Sequence, residues 1–137
     1  MDDLALELIR SAARFTRLAG RVPGTAYSAV AWRVLADLAG ERPMRISELA
    51  QLQRVAQPTM TALVQRLENE GWARRAPDPA DGRATLVHVT PAGETALADY
   101  RRSAAKRVTP LLADLEPADR AALTRAAELM QHLGDAI

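Results

Sequence analysis

Between residues 57 and 70, Met60, Leu63, Val64 and Leu67 recur at helical spacing and define one apolar face. Half a turn away stand Pro58, Thr61, Ala62 and Gln65, flanked by Gln57, Thr59 and Arg66, with no acidic residue before Glu68. Short hydroxyls, carboxamides and a guanidinium on a slim helix are the groups that read duplex DNA. A glutamine pairs with adenine N6/N7, a threonine meets a thymine methyl or a phosphate, and Arg66 reaches a phosphate. A solvated helix face carries the same residue types, so this face alone leaves both readings open. Further basic groups follow. Arg83 falls in the turn-rich run Asp78-Pro79-Ala80-Asp81-Gly82-Arg83, where a long side chain can leave the core and enter a minor groove. Arg74 and Arg75 flank the same run and can meet phosphates, although a surface pairing with Asp78 or Asp81 suits each of them at least as well.

Other chemistry is poorly supplied. The two histidines, His88 and His132, belong to no His/Glu cluster at metal-ligand spacing. Phosphate-binding glycine loops and a Gly-x-Ser-x-Gly elbow are absent. With no cysteine, disulfides, thiolate metal sites and cysteine nucleophiles are excluded. The expectation is a protein that is not an enzyme and uses neither metal nor cofactor.

The elements that must position the polar face can be read from periodicity. Residues 4–19 carry Leu8, Ala12, Phe15 and Ala19 at helical spacing, and Pro23-Gly24 breaks the chain. A second helix is predicted from a Thr25 N-cap to Gly40, and short helices over 46–53 and 57–70. Gly71 supplies a left-handed stop, with Trp72 folding back on Leu67. Two short strands, 73–76 and 84–90, enclose the loop 78–83. Thr90-Pro91 opens a long helix that Pro110 ends or kinks, and a last helix follows Glu116-Pro117. Helices followed by a two-stranded hairpin make a winged helix-turn-helix. The fold class is therefore mainly α with a small β-hairpin wing, in one protomer spanning 1–137.

Composition agrees. Alanine (28) and leucine (18) dominate the apolar residues, while only five aromatics occur, which favours helix over sheet. The formal net charge is +1, yet residues 42–83 hold seven arginines against five acids. Any DNA affinity therefore depends on where arginines stand rather than on overall charge. The opening Met-Asp-Asp-Leu has neither a signal-peptide pattern nor an apolar span, so a cytoplasmic protein without membrane association is expected.

Ile46-Ser47-Glu48-Leu49-Ala50, Gln57-Pro58-Thr59-Met60-Thr61, Leu67-Glu68-Asn69-Glu70-Gly71 and especially Asp78-Pro79-Ala80-Asp81-Gly82-Arg83-Ala84, with Leu86-Val87 and Thr90-Pro91-Ala92-Gly93, resemble the multiple antibiotic resistance regulator (MarR) family. The likeness is clearest over 42–94, and the helix order outside that window is compatible. It implies a homodimer with intertwined terminal helices (1–22 and 107–137) around a winged helix-turn-helix (26–94). It also implies a recognition helix in the major groove, Arg83 on a wing in the minor groove, a pseudo-palindromic operator, and release by a small aromatic or phenolic ligand, as in a repressor. Three positions depart from the family pattern: Ala56 replaces the usual serine cap of the recognition helix, Ala62 a frequent arginine, and Gln65 a frequent acid. These changes affect operator sequence and affinity rather than fold.

The residues support two of these expectations independently. Apolar faces on residues 4–19 and 117–133 lie at opposite chain ends and would be left largely exposed on a lone protomer, which favours dimerisation. Arg14, Phe15, Tyr27 and Trp32, with Arg17 and Arg33, offer an apolar pocket with a cation for an aromatic carboxylate; Phe15 and Tyr27 as core residues with solvated arginines is the simpler reading. A winged helix serving protein–protein contact is the alternative function, and an apolar recognition face would be its mark.

Overall fold

In the computed structural model, which describes residues 2–137, helix α1 (Asp3–Ala19) starts at Asp2, whose carboxylate accepts from the Leu4 N–H at 3.0 Å. None of its residues is buried: Ile9 is 71% and Phe15 56% exposed. Its far end is held by another helix. Arg107 donates to the carbonyls of Leu18 and Ala19, both at 2.9 Å, and the Tyr100 hydroxyl donates to that of Gly20 at 2.8 Å.

Helix α2 (Ala29–Gly40) begins later than the Thr25 cap predicts. Ser28 is the cap, accepting from Ala31 N–H at 3.4 Å. Either hydroxyl can cap; leaving residues 25–27 outside the helix lets Tyr27 put its ring 5.0 Å from that of Trp72. From α2, Ala31, Trp32, Val34, Leu35 and Leu38 enter the core. Helix α3 (Ile46–Gln53) adds Leu49 and Ala50, and α4 (Gln57–Asn69) adds Met60, Val64 and Leu67. The turn between α3 and α4 places Arg54 at φ 53°, a left-handed conformation that costs a non-glycine residue about 1–2 kcal/mol.

The end of α4 follows the sequence closely. Gly71 is left-handed at φ 79°; its N–H donates to Glu68 and that of Trp72 to Leu67, both at 2.9 Å, which closes a Schellman motif. Strands β1 (Ala73–Asp78) and β2 (Asp81–Val89) pair antiparallel, and Met44 adds a one-residue rung beside Val87. Both strands reach further toward the tip than predicted. The turn is only Pro79-Ala80, and the register steps from Pro77↔Thr85 to Asp78↔Asp81. Gly82, Arg83 and Ala84 thus have no partner residues. Arg83 belongs to this bulge in β2 and not to a loop, a correction that arises because Asp78 and Asp81 pair across the turn.

Thr90 then caps α5 (Pro91–Ala113), accepting from Gly93 N–H at 3.1 Å and donating to the Gly71 carbonyl at 2.6 Å. Pro110 does not end α5, which runs on to Ala113. Near the helix end an exposed proline removes a single hydrogen bond, which the remaining turn tolerates. The last helix, α6 (Pro117–Asp135), buries none of its residues and leaves Leu123, Leu129, Met130 and Leu133 exposed.

Candidate nucleic-acid interface

With Met60, Val64 and Leu67 fully buried, α4 turns Gln57, Pro58, Thr59, Thr61, Ala62, Gln65 and Arg66 outward, and all seven are exposed. Thr61 Oγ1 donates to the Gln57 carbonyl at 3.0 Å, and the Gln65 carboxamide donates to Asn69 Oδ1, also at 3.0 Å. Ala56 makes no side-chain cap bond, so Pro58 in the first turn, which has no N–H to satisfy, is the local compensation at this helix start.

The arginines of residues 42–83 separate into two groups. Arg42 pairs with Glu48 at 2.7 Å, Arg45 with Asp78 at 3.1 Å, and Arg75 with Glu68 at 2.5 Å. Arg54, Arg66, Arg74 and Arg83 form no ion pair among the described residues, and all four are exposed. Arg54 stands in the turn before α4, Arg66 on α4 itself, and Arg74 and Arg83 on the two wing strands. Within residues 42–83, the charge available to an anionic partner thus stands on α4, the turn before it and the wing. Arg75 instead braces the wing against α4 through Glu68, an acid other than the two the sequence suggested.

Two carboxylates in these bridges are held below the usual range. For Asp78 the main cause is the Ala80 N–H, at 2.9 Å, followed by Arg45; for Glu48 it is Arg42, followed by the Arg45 N–H at 3.2 Å. Neither Arg45 nor Arg54 was singled out by sequence reasoning. The Arg45–Asp78 contact spans 33 residues and leaves no local signal. Arg54 could have been found as the lone basic residue in the glycine-free turn Arg54-Val55-Ala56.

The suggested ligand residues are not brought together. Arg14 and Phe15 line a groove between α1 and α5 with Leu18, Arg107, Val108 and Leu111. Tyr27 and Trp32 join Trp72 and Tyr100 in an aromatic cluster, where Trp32 and Tyr100 stack with centroids 4.3 Å apart. Beside the cluster lies a hollow of about 470 Å³, lined by residues 22–25, Trp32, Trp72, Tyr100 and the Asp99–Ser103 side of α5. Tyr27 does not line it, and Arg33 is engaged elsewhere, donating to Gln53 at 2.8 Å. The four residues are separated because the break after α1 directs Tyr27 toward α4 and away from Phe15. The indole N–H of Trp32 is buried among these rings without an oxygen partner. Burial, and secondarily the Glu70 carboxylate, holds the Tyr27 phenol above its usual range, against the opposing influence of Arg66.

His88 sits half-buried in β2 and His132 exposed near the end of α6, and among the described residues no acidic or histidine group is placed to hold a metal. No described helix is long and apolar enough to cross a membrane.

The sequence model of the MarR family matches residues 28–85, from the start of α2 into the wing. An HTH-type transcriptional regulator of Mycobacterium tuberculosis is 35% identical over 134 residues, covering 98% of this chain and 92% of its own. The chain belongs to the MarR family. This MarR-family protein is accordingly a DNA-binding transcriptional regulator of the winged helix-turn-helix type. Solved MarR-like structures share its fold. A transcriptional regulator from Thermotoga maritima superposes with a TM-score of 0.77 at 24% identity, covering 98% of this chain and 96% of that one. The multiple antibiotic resistance repressor MarR gives 0.73 at 21% identity, over 97% and 96%.

Proposed function

We propose that the protein acts in the cytoplasm as a homodimer that represses transcription by binding a pseudo-palindromic operator. The observation that carries this reading is the set of four exposed arginines, Arg54, Arg66, Arg74 and Arg83, that stand around the polar face of α4 with no ion pair among the described residues. In this reading α4 enters the major groove, where Gln57, Thr59, Thr61, Ala62 and Gln65 meet base edges and Arg66 a phosphate. Arg83, displaced from the hairpin ladder by the bulge, enters the adjacent minor groove, and Arg74 meets the backbone.

Dimerisation is supported by apolar residues that the protomer leaves uncovered: Leu4, Ile9 and Phe15 on α1, Leu111 on α5, and Leu123, Met130 and Leu133 on α6. Residues 26–94 then read DNA while 1–22 and 107–137 dimerise, with the unbroken α5 joining the two parts. A small effector is best accommodated by the hollow beside Trp32, Trp72 and Tyr100. Among the described residues its lining includes Asp99, which pairs with Arg102, and Ser103 but no arginine or lysine, so a neutral aromatic or phenol fits it better than a carboxylate. Such a ligand releases DNA only if it binds more tightly to a dimer whose recognition helices are wrongly spaced.

Repeated selection from a random duplex pool tests the reading. Recovery of an inverted repeat, bound less tightly as salt rises, is the expected result. Failure to enrich any sequence would favour a protein-contact role for the winged helix instead.

A further inference from the structure

Among the described residues, Arg66 is the one arginine of the interface without an ion pair whose guanidinium is nevertheless held, lying 4.9 Å from the centroid of the Tyr27 ring. We infer that Tyr27 is a positioning residue for Arg66, gripping the face of its guanidinium so that the N–H edges remain directed outward for a DNA phosphate. The inference rests on the reading that α4 docks on DNA.

A carboxylate would hold Arg66 by the N–H groups that a phosphate needs and would cancel its charge, as Glu68 does for Arg75. An aromatic face attracts the cation through its quadrupole and leaves both donors and charge available. The grip also limits the rotamer freedom that a long arginine side chain must otherwise lose on binding.

The platform itself is fixed. Tyr27 packs 5.0 Å from Trp72, the residue that closes the end of α4, and 6.1 Å edge-on from Trp32. Trp32 stacks on Tyr100, whose hydroxyl is tied to the carbonyl of Gly20 at the end of α1. The late start of α2 at Ser28 is what allows Tyr27 to reach this place.

The test uses the full chain, the duplex it selects, and the variants Arg66→Ala, Tyr27→Leu, Tyr27→Phe and Tyr27→Leu/Arg66→Ala. Arg66→Ala is expected to weaken binding and to lower the slope of log affinity against log salt by about 0.9, one phosphate contact. Tyr27→Leu should weaken binding about two- to fivefold, the effect of an exposed cation–π contact, but only while Arg66 is present. Tyr27→Phe, which keeps the ring, should bind like the parent. Equal loss from Tyr27→Leu in both backgrounds would reveal a role in folding alone and overturn the inference, while leaving the Arg66 contact standing. No effect of Arg66→Ala would remove the phosphate contact and the inference together. A measurement on the parent protein covers the case in which Tyr27→Leu does not fold. The Arg66 side-chain protons should resonate upfield, shifted by the Tyr27 ring current, and random-coil shifts would refute the grip.

Discussion

A β-carbon on Gly93 would lie 2.1 Å from the carbonyl oxygen of Trp72. That approach joins the end of α4 to the start of α5, and Thr90 reinforces it by bonding to the Gly71 carbonyl and to Gly93 N–H. The wing is thereby clamped at its root, and the sequence Thr90-Pro91-Ala92-Gly93 acquires a physical meaning.

Gly93→Ala should therefore destabilise the protein by about 3 kcal/mol, because the obstacle is backbone and cannot rotate away. Gly40→Ala is its control: among the described residues, beyond the adjoining residues and the helix's own backbone, nothing lies within 4 Å of the added carbon, and a gain of about 0.4–1 kcal/mol is expected. Denaturant melts of both variants check the pair.

Acid should loosen the brace between α3 and the wing. Asp78 and Glu48 are held below the usual carboxylate range in the folded state, so the stability they contribute is fully present above about pH 5. It is lost as pH falls through the lower folded values. Asp78→Asn should melt below the parent at neutral pH, and the two melting curves should converge in acid; parallel curves would show that Asp78 contributes nothing to the pH dependence.

Neighbouring arginines should behave differently. Arg74→Ala is expected to lower the salt slope of DNA binding by about 0.9 with little change in melting temperature. Arg75→Ala should leave that slope unchanged and cost up to about 1 kcal/mol of stability, since its charge is already committed to Glu68. Titrations at several salt concentrations, with a melt of each variant, separate the two roles.

Ile9, 71% exposed, and Leu133, 59% exposed, belong to the faces proposed to form the dimer. Ile9→Glu combined with Leu133→Glu should convert the dimer to a 14.9 kDa species in sedimentation equilibrium. Persistence of the dimer would place the interface elsewhere.

Much of this architecture was legible in the chain because its signals are local. The Gly71-Trp72 stop, the Thr90-Pro91 start and the apolar spacing of Met60, Leu63, Val64 and Leu67 each act within a few residues. The outward face of α4 followed directly. What escaped depends on partners distant in sequence. Ser28 prevailed over Thr25 because Tyr27 is needed beside Trp72, and Arg45 found Asp78 across the wing. The bulge that carries Arg83 is a matter of strand register, which the turn residues alone did not determine. Arg14 and Phe15 were grouped with Tyr27 and Trp32 by proximity along the chain, and the break after α1 separates them.

In the proposed two-fold dimer, one α4 enters each of two major-groove faces about 34–36 Å apart. Affinity for the selected inverted repeat should therefore be compared with affinity for the same repeat carrying about five extra base pairs, half a helical turn, between its halves. The insertion is expected to reduce affinity to that of a single half-site. Undiminished affinity would contradict that arrangement, because two recognition helices fixed in one dimer cannot follow half-sites to opposite faces of the duplex.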